Sequence, residues 1–265
     1  MTTALAYFYS GCADPFIDSH DRGFSFGDGL FTTIRIEQQQ LIDWPLHWQR
    51  LVTGCQRLKI PPPQISEIQQ PLQQLAQQQP DCVAKCILTR GVGGVGYQAP
   101  KNPQPSLIIT SRPLPHYPPF LYQTGVRLRL CAVRLGHNPL LAGIKHLNRL
   151  ENVLARLEWD DPDIFEGLLL DNHHVIEGVM SNVFFGRAGE LHTPDLSLCG
   201  VAGVMRQKIL HLMPQTQIGH YTLADFLAAD EVFISNSLIK ILPIKQLEQQ
   251  HYTVGQLTRQ LMQKL

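Results

Sequence analysis

Residues 31–44 alternate apolar and polar positions on either side of a polar tip, Glu37–Gln40, and so predict a two-stranded hairpin. Pro45 then opens a helix, with Trp48, Leu51, Val52 and Cys55 at helical spacing. A second helical stretch aligns Ile65, Ile68, Leu72 and Leu75, with Pro71 expected to kink or split it. Residues 82–90 and 106–111 read as strands, separated by the glycine-rich segment 91–97. Four prolines in residues 111–120 exclude a regular helix or central strand and predict a linker. The expected domains are 1–110, of α+β type, and 121–265, of α/β type.

The second half reads as a different, α/β unit, with no internal repeat. Residues 147–159 place Leu147, Leu150, Val153, Leu154 and Leu157 on one helical face. Strands are predicted over 164–171 and 174–178, joined at Asp171–His173, then over 181–186 and 190–194. A helix follows at 204–213, and a strand at 230–237 runs into a tight turn.

Composition narrows the class. The chain has 265 residues, 44% apolar and 17% charged, which suits a globular protein with ample core. Its formal net charge is zero, so it shows no footprint for nucleic acid or an anionic membrane surface. No run of ~20 apolar residues predicts a membrane span, and the N-terminus is a poor signal peptide, so the cytoplasm is the expected location. Cys12, Cys55, Cys82, Cys86, Cys131 and Cys199 form no C-x-x-C pair and read as reduced core thiols. No metal site is expected, because the adjacent His173 and His174 face opposite ways on a strand.

Few residues announce chemistry unaided. Lys145 stands between an apolar entry and an apolar helix, surroundings that favour a neutral, nucleophilic amine. A helix-start lysine with a snorkelling head is the ordinary alternative. Glu177 and Arg50 read equally well as a strand-end glutamate and a surface-helix arginine. The run Gly91–Gly96 lacks G-K-[ST] and opens no helix, so it is taken as a substrate-side loop rather than a nucleotide site.

Five ordered motifs change the picture. They are Phe26–Gly29 (F-G-D-G), His47–Leu51 (H-x-x-R-L), the lysine segment 143–155, a long pattern from Glu177 to Arg206, and Ile234–Ser237 (I-S-N-S). The long pattern comprises Glu177, Asn182, Val183, Phe184, Leu191, Thr193, Val201, Gly203, Val204 and Arg206, and departs only at Val179. Together they resemble the fold type IV (class IV) pyridoxal-phosphate-dependent aminotransferase family over nearly the whole chain. The resemblance implies a two-domain fold with the cofactor between the domains, and a homodimer. It implies that Lys145 carries pyridoxal phosphate as a Schiff base. Glu177 would face the pyridine nitrogen and Val201 would pack on the ring. The phosphate would meet Arg50, the Val204 and Met205 N–H groups, and Ser237 with the Asn236 backbone.

Within that family, segments 26–33 and 134–151 resemble the 4-amino-4-deoxychorismate lyases more than the branched-chain or D-amino acid aminotransferases, which remain the alternative. Phe31 stands where the D-amino acid enzymes place a tyrosine, and Val95 and Tyr97 lie where they supply an arginine and a histidine. The lyases would have arginine at both Val95 and His137. A substrate with two carboxylates therefore needs another cation, for which Arg90 is the candidate, with a strand-end ion pair as its alternative role. Phe31, Tyr97, His137 and Arg90 are the expected substrate contacts. Thr32, by family analogy, would deliver or orient a proton; a half-buried strand threonine is its ordinary reading.

Overall fold

The computed structural model describes residues 6–9, as backbone only, and 17–265. Cys12 and the N-terminal segment read for a signal lie outside the described residues. Two compact units emerge: 1–115 with 144–148, and 116–143 with 149–265.

The first unit runs β1 (Ala6–Tyr9), α1 (Arg22–Phe26), β2 (Gly29–Glu37), β3 (Gln40–Leu41), α2 (Trp44–Leu58), α3 (Ile65–Gln78), β4 (Cys82–Thr89) and β5 (Ser106–Pro113). Its antiparallel sheet has the order β1-β5-β4-β2-β3. The hairpin turns on Gln38 and Gln39, both at positive φ (49° and 64°), the backbone of a tight two-residue hairpin turn. Alternation along β2 buries Leu30, Thr32, Ile34 and Ile36 and leaves Phe31, Thr33 and Arg35 on the other face. The buried row packs with Leu51 and Cys55 of α2 and Ile68, Leu72 and Leu75 of α3. Pro71 does not split α3, which runs unbroken from Ile65 to Gln78. A capping box between Gln64 and Glu67 and a continuous apolar face offset the one lost backbone bond.

The second unit runs α4 (Pro119–Thr124), β6 (Val126–Arg134), α5 (Leu150–Arg156), β7 (Ile164–Leu170), β8 (His174–Gly178), β9 (Asn182–Arg187), β10 (Glu190–Pro194), α6 (Val204–Leu212), β11 (Gln217–Gly219), β12 (Tyr221–Thr222), α7 (Leu223–Leu227), β13 (Glu231–Asn236), β14 (Lys240–Leu247), β15 (Gln250–His251) and α8 (Gln256–Lys264). Its sheet follows the path β11-β10-β9-β13-β14-β6-β7-β8-β12, with β15 on β14. The β14–β6 and β6–β7 pairs are parallel. Phe184 and Phe233 stack across β9 and β13, their centroids 4.9 Å apart, and anchor the cluster under α6 and α8.

Three expectations need correction. The proline-rich stretch is not linker throughout: Ser111–Pro113 complete β5, and Pro119 and Phe120 open α4, because proline suits a strand end and a first helical turn. Lys145, expected in the C-terminal domain, belongs to the first unit. Phe31 N donates to Lys145 O (2.9 Å) and Leu147 N to Gly29 O (3.0 Å), so residues 144–148 lie along β2. The helix after Lys145 is short, and its apolar stripe faces outward: Leu150, Val153, Leu154 and Leu157 are all exposed. Among the described residues, no helix is long and apolar enough to cross a membrane. Cys55, Cys82, Cys86, Cys131 and Cys199 are buried free thiols.

Glu166 of β7 organises the turn after β8. It is buried and accepts from Gly167 N (3.1 Å), Met180 N (3.1 Å) and Ser181 Oγ (2.9 Å). Burial outweighs these donors and pushes its carboxyl from 4.5 up to about 7. The native state therefore binds the proton more tightly than the unfolded chain. Its contribution to stability is full below pH ~4.5 and lost as pH rises through about 7, roughly 3 kcal/mol in all. Denaturant titrations should show this decline in the parent protein and a flattened profile in Glu166→Gln; an equal slope in both would remove Glu166 as its source.

Candidate active site

In the first unit, the backbone bonds along β2 set the Lys145 side chain against Phe31. Lys145 Nζ lies 4.7 Å from the Phe31 ring centroid. Gly27 closes α1 in the left-handed region (φ 64°), where a side chain would strike the Asn148 amide, and Asn148 Nδ2 donates to Gly27 O (3.3 Å). The F-G-D-G motif thus fits against the lysine segment.

Asp28 of that motif is a staple. Arg22 Nε (2.9 Å) and Arg90 Nε (2.7 Å) both donate to its Oδ2. Burial alone would raise its pKa, but hydrogen bonds from Arg90 and Arg22 prevail and hold the carboxyl below its ordinary 3.8. Arg22 continues to the carbonyls of Gly96 (2.9 Å), Gln98 (3.3 Å) and Tyr97 (3.3 Å), fixing the glycine loop. Arg90 Nη2 donates to Asp28 Oδ1 (3.0 Å) and Leu58 O (2.8 Å), and its Nη1 to Lys59 O (2.7 Å). It therefore fills the ion-pair role rather than that of an available substrate cation. Val95 and Tyr97 project outward from the loop, and Tyr97 packs on Phe26.

Arg50 and His47 share the inner side of α2. His47 is fully buried. Burial, followed by the Arg50 charge, lowers its pKa to about 3 and keeps the ring neutral. Burial pulls the Arg50 guanidinium from 12.5 down to about 10, so it stays charged although strongly desolvated. Part of Arg50 remains accessible, as an anion-binding group requires. Thr32 is fully buried, and its Oγ1 lies 2.6 Å from His47 Nδ1. Strand alternation puts Thr33, not Thr32, on the face with Phe31. The structure gives Thr32 a place beneath the site, next to His47.

In the second unit one amide gathers the expected cofactor residues. Asn182 Nδ2 donates to Val201 O (2.8 Å), and its Oδ1 accepts from Gly203 N (3.0 Å). A Cβ at Gly203 would strike that Oδ1, so glycine is required there. Val201 N donates to Glu177 Oε2 (2.8 Å), which fixes the buried carboxylate. Gly203 is the N-cap of α6 and offers the Val204 and Met205 turn no side-chain hydrogen bond. Arg206 secures the helix by donating to Pro194 O (2.9 Å). Asn182 also pairs with Ser235 across the sheet, bringing the start of α6 beside the Asn236–Ser237 turn. Asn236 holds that turn by accepting from Leu238 N (2.8 Å) and Ile239 N (3.0 Å).

The donor sets fit a phosphorylated pyridine. An uncapped helix start suits a phosphate, and a buried carboxylate suits a protonated ring nitrogen. Ser235 Oγ, not singled out in the sequence, is buried without a hydrogen-bond partner among the described residues and lies on the face of the sheet that carries α6. Leaving such a hydroxyl unpaired is costly, so this strand end has an oxygen that an outside acceptor or a water can satisfy. His137 instead pairs with Asp171, its Nε2 2.9 Å from Oδ2. Among the described residues, no group of three or more His, Cys, Asp or Glu is placed to hold a metal.

The chain matches the amino-transferase class IV family model over residues 29–247. It is 34% identical to an aminodeoxychorismate lyase of Vibrio harveyi, over 98% of this chain and 99% of that one. A putative branched-chain-amino-acid aminotransferase of Methanocaldococcus jannaschii is 29% identical, over 95% and 90%. Among solved structures, 4-amino-4-deoxychorismate lyase from Pseudomonas aeruginosa superposes with a TM-score of 0.93 at 42% identity, covering 98% of each chain. Branched-chain amino acid aminotransferase from Escherichia coli shares the fold, with a TM-score of 0.86 at 20% identity over 97% and 92%. The mixed α/β architecture expected from the motifs is therefore the observed one, and the chain belongs to the class IV aminotransferase family.

Proposed function

We propose that this protein is a pyridoxal-phosphate-dependent lyase converting 4-amino-4-deoxychorismate to 4-aminobenzoate and pyruvate. The observation that carries this is the Lys145 amine set on the Phe31 ring, in a chain similar to two such lyases over nearly its full length. Pyridoxal phosphate, when bound, supplies an electron sink for the carbon that bears the substrate amine. Lys145 would anchor it and afterwards hold the proton taken from that ring carbon. Glu177, fixed by Val201 N, would keep a proton on the ring nitrogen. Arg50, the Val204 and Met205 N–H groups and the Asn236–Ser237 turn would neutralise the phosphate. Val201 would pack on the ring.

The reaction balances without a co-substrate. The ring loses one proton and the enolpyruvyl C–O bond breaks. The departing group gains a proton and leaves as pyruvate, and the ring becomes aromatic. Thr32 serves here through His47, whose ring it meets and whose helix carries Arg50, rather than at the substrate.

The decisive assay presents 4-amino-4-deoxychorismate and follows 4-aminobenzoate fluorescence with coupled pyruvate detection. Stoichiometric products are expected, with turnover lowered by at least about 100-fold in Lys145→Ala. Accumulation of pyridoxamine phosphate with an ordinary amino acid, and no 4-aminobenzoate, would make the protein an aminotransferase. Thr32→Val should reduce turnover at saturating cofactor with visible absorbance retained; unchanged turnover removes Thr32 from the mechanism.

The proposed assembly is a homodimer, supported by the outward stripe of Leu150, Val153 and Leu154 on α5 and Leu157 at its C-cap. Sedimentation of the parent protein should give a dimer, and the Leu154→Glu, Leu157→Glu double variant a monomer. A dimer unaffected by both charges would place the interface elsewhere.

A further inference from the structure

The lyase substrate brings two carboxylates, yet Arg90 is consumed by Asp28 and two carbonyls, and His137 by Asp171. A different cation faces Phe31. Lys85 Nζ lies 4.7 Å from the Phe31 ring centroid, the same distance as Lys145 Nζ. The two amines are thus no farther apart than twice that distance. An amine and a carboxylate at opposite ends of a six-membered ring, with an ion-pair contact added, can bridge a separation up to about this bound.

The register explains how Lys85 comes to be there. It lies on β4, directly between Thr33 of β2 and Thr110 of β5. The next row toward Lys145 is Phe31, Ile87 and Ile108, and the next row away is Arg35, Val83 and Arg112. All belong to the sheet face opposite the buried helices, and these three rows contain no acidic residue. Among the described residues, Lys85 makes no ion pair within the protein; its one observed polar interaction is with the Phe31 ring. Burial lowers its pKa below the ordinary lysine value, as expected for an ammonium on a partly apolar floor. Two flanking hydroxyls suit a carboxylate's second oxygen.

We infer that Lys85, flanked by Thr33 and Thr110, is the cation that binds a substrate carboxylate while the substrate amine is presented at Lys145. This rests on the lyase assignment and names a specificity-determining contact within it. It also explains how the chain tolerates valine at position 95.

The test compares the parent protein with Lys85→Met, which keeps side-chain length without charge, and Lys85→Arg, which restores charge. Steady-state kinetics and calorimetric titration with chorismate, a dicarboxylate lacking the reactive amine, are the two readouts. Lys85→Met should raise KM at least ten-fold, with a smaller change in kcat and unchanged visible absorbance, and weaken chorismate binding by a similar factor. Lys85→Arg should recover most of both. The KM of the parent should rise with ionic strength, and that of the Met variant should not. Should Met prevent folding, Lys85→Gln carries the same comparison. Equal KM and equal chorismate affinity in parent and variant would overturn the inference and leave the lyase intact. A parent that neither turns over nor binds chorismate would fail at the lyase itself and take this contact with it.

Discussion

Two backbone hydrogen bonds decide where the Lys145 amine sits. Phe31 N to Lys145 O and Leu147 N to Gly29 O lay a five-residue segment along β2, although the chain before and after it belongs to the second unit. A side chain held through its own backbone on a strand edge loses little further freedom when it acts, which is the useful form of preorganisation. The surrounding contacts serve this placement. Asn148 reaches Gly27, and Asp28 ties Arg22 and Arg90 into the loop that follows β4.

The second unit solves a matching problem with one side chain. Asn182 satisfies a carbonyl and an N–H of the turn before α6, and that turn in turn fixes Glu177 through Val201 N. Buried polar groups of this kind are costly when half-satisfied and rigid when complete. Glu166 supports the same region from beneath by holding the turn at Met180 and Ser181. Charge is thus placed by backbone geometry in one unit and by an amide network in the other.

What the sequence showed depended on the range of the interaction. The hairpin, the helix from Pro45, the strand at 82–90 and the helix at 204–213 are local patterns, and they were legible. Pro71 misled because a strong capping box and apolar face override one missing bond. The α5 stripe is apolar by sequence, but periodicity does not say what an apolar face meets, and here it faces outward. Lys145 was legible through its motif, while its membership of the first unit depends on non-local pairing with β2. Lys85 is not distinguished by its sequence neighbours for the same reason. In C-V-A-K-C it reads as the polar member of an alternating strand, and only the β2–β4 register brings it to Phe31. Arg90 and Thr32 carried plausible chemistry in sequence, but their partners, Asp28 and His47, are set by tertiary contacts.

The account centres on a single amine, and covalent trapping tests it most directly. The protein, loaded with pyridoxal phosphate, would be reduced with borohydride and digested, and the pyridoxyl-modified peptide located by mass spectrometry. The account predicts the label on Lys145 alone. A label on Lys85, or on any other lysine in place of Lys145, would contradict it.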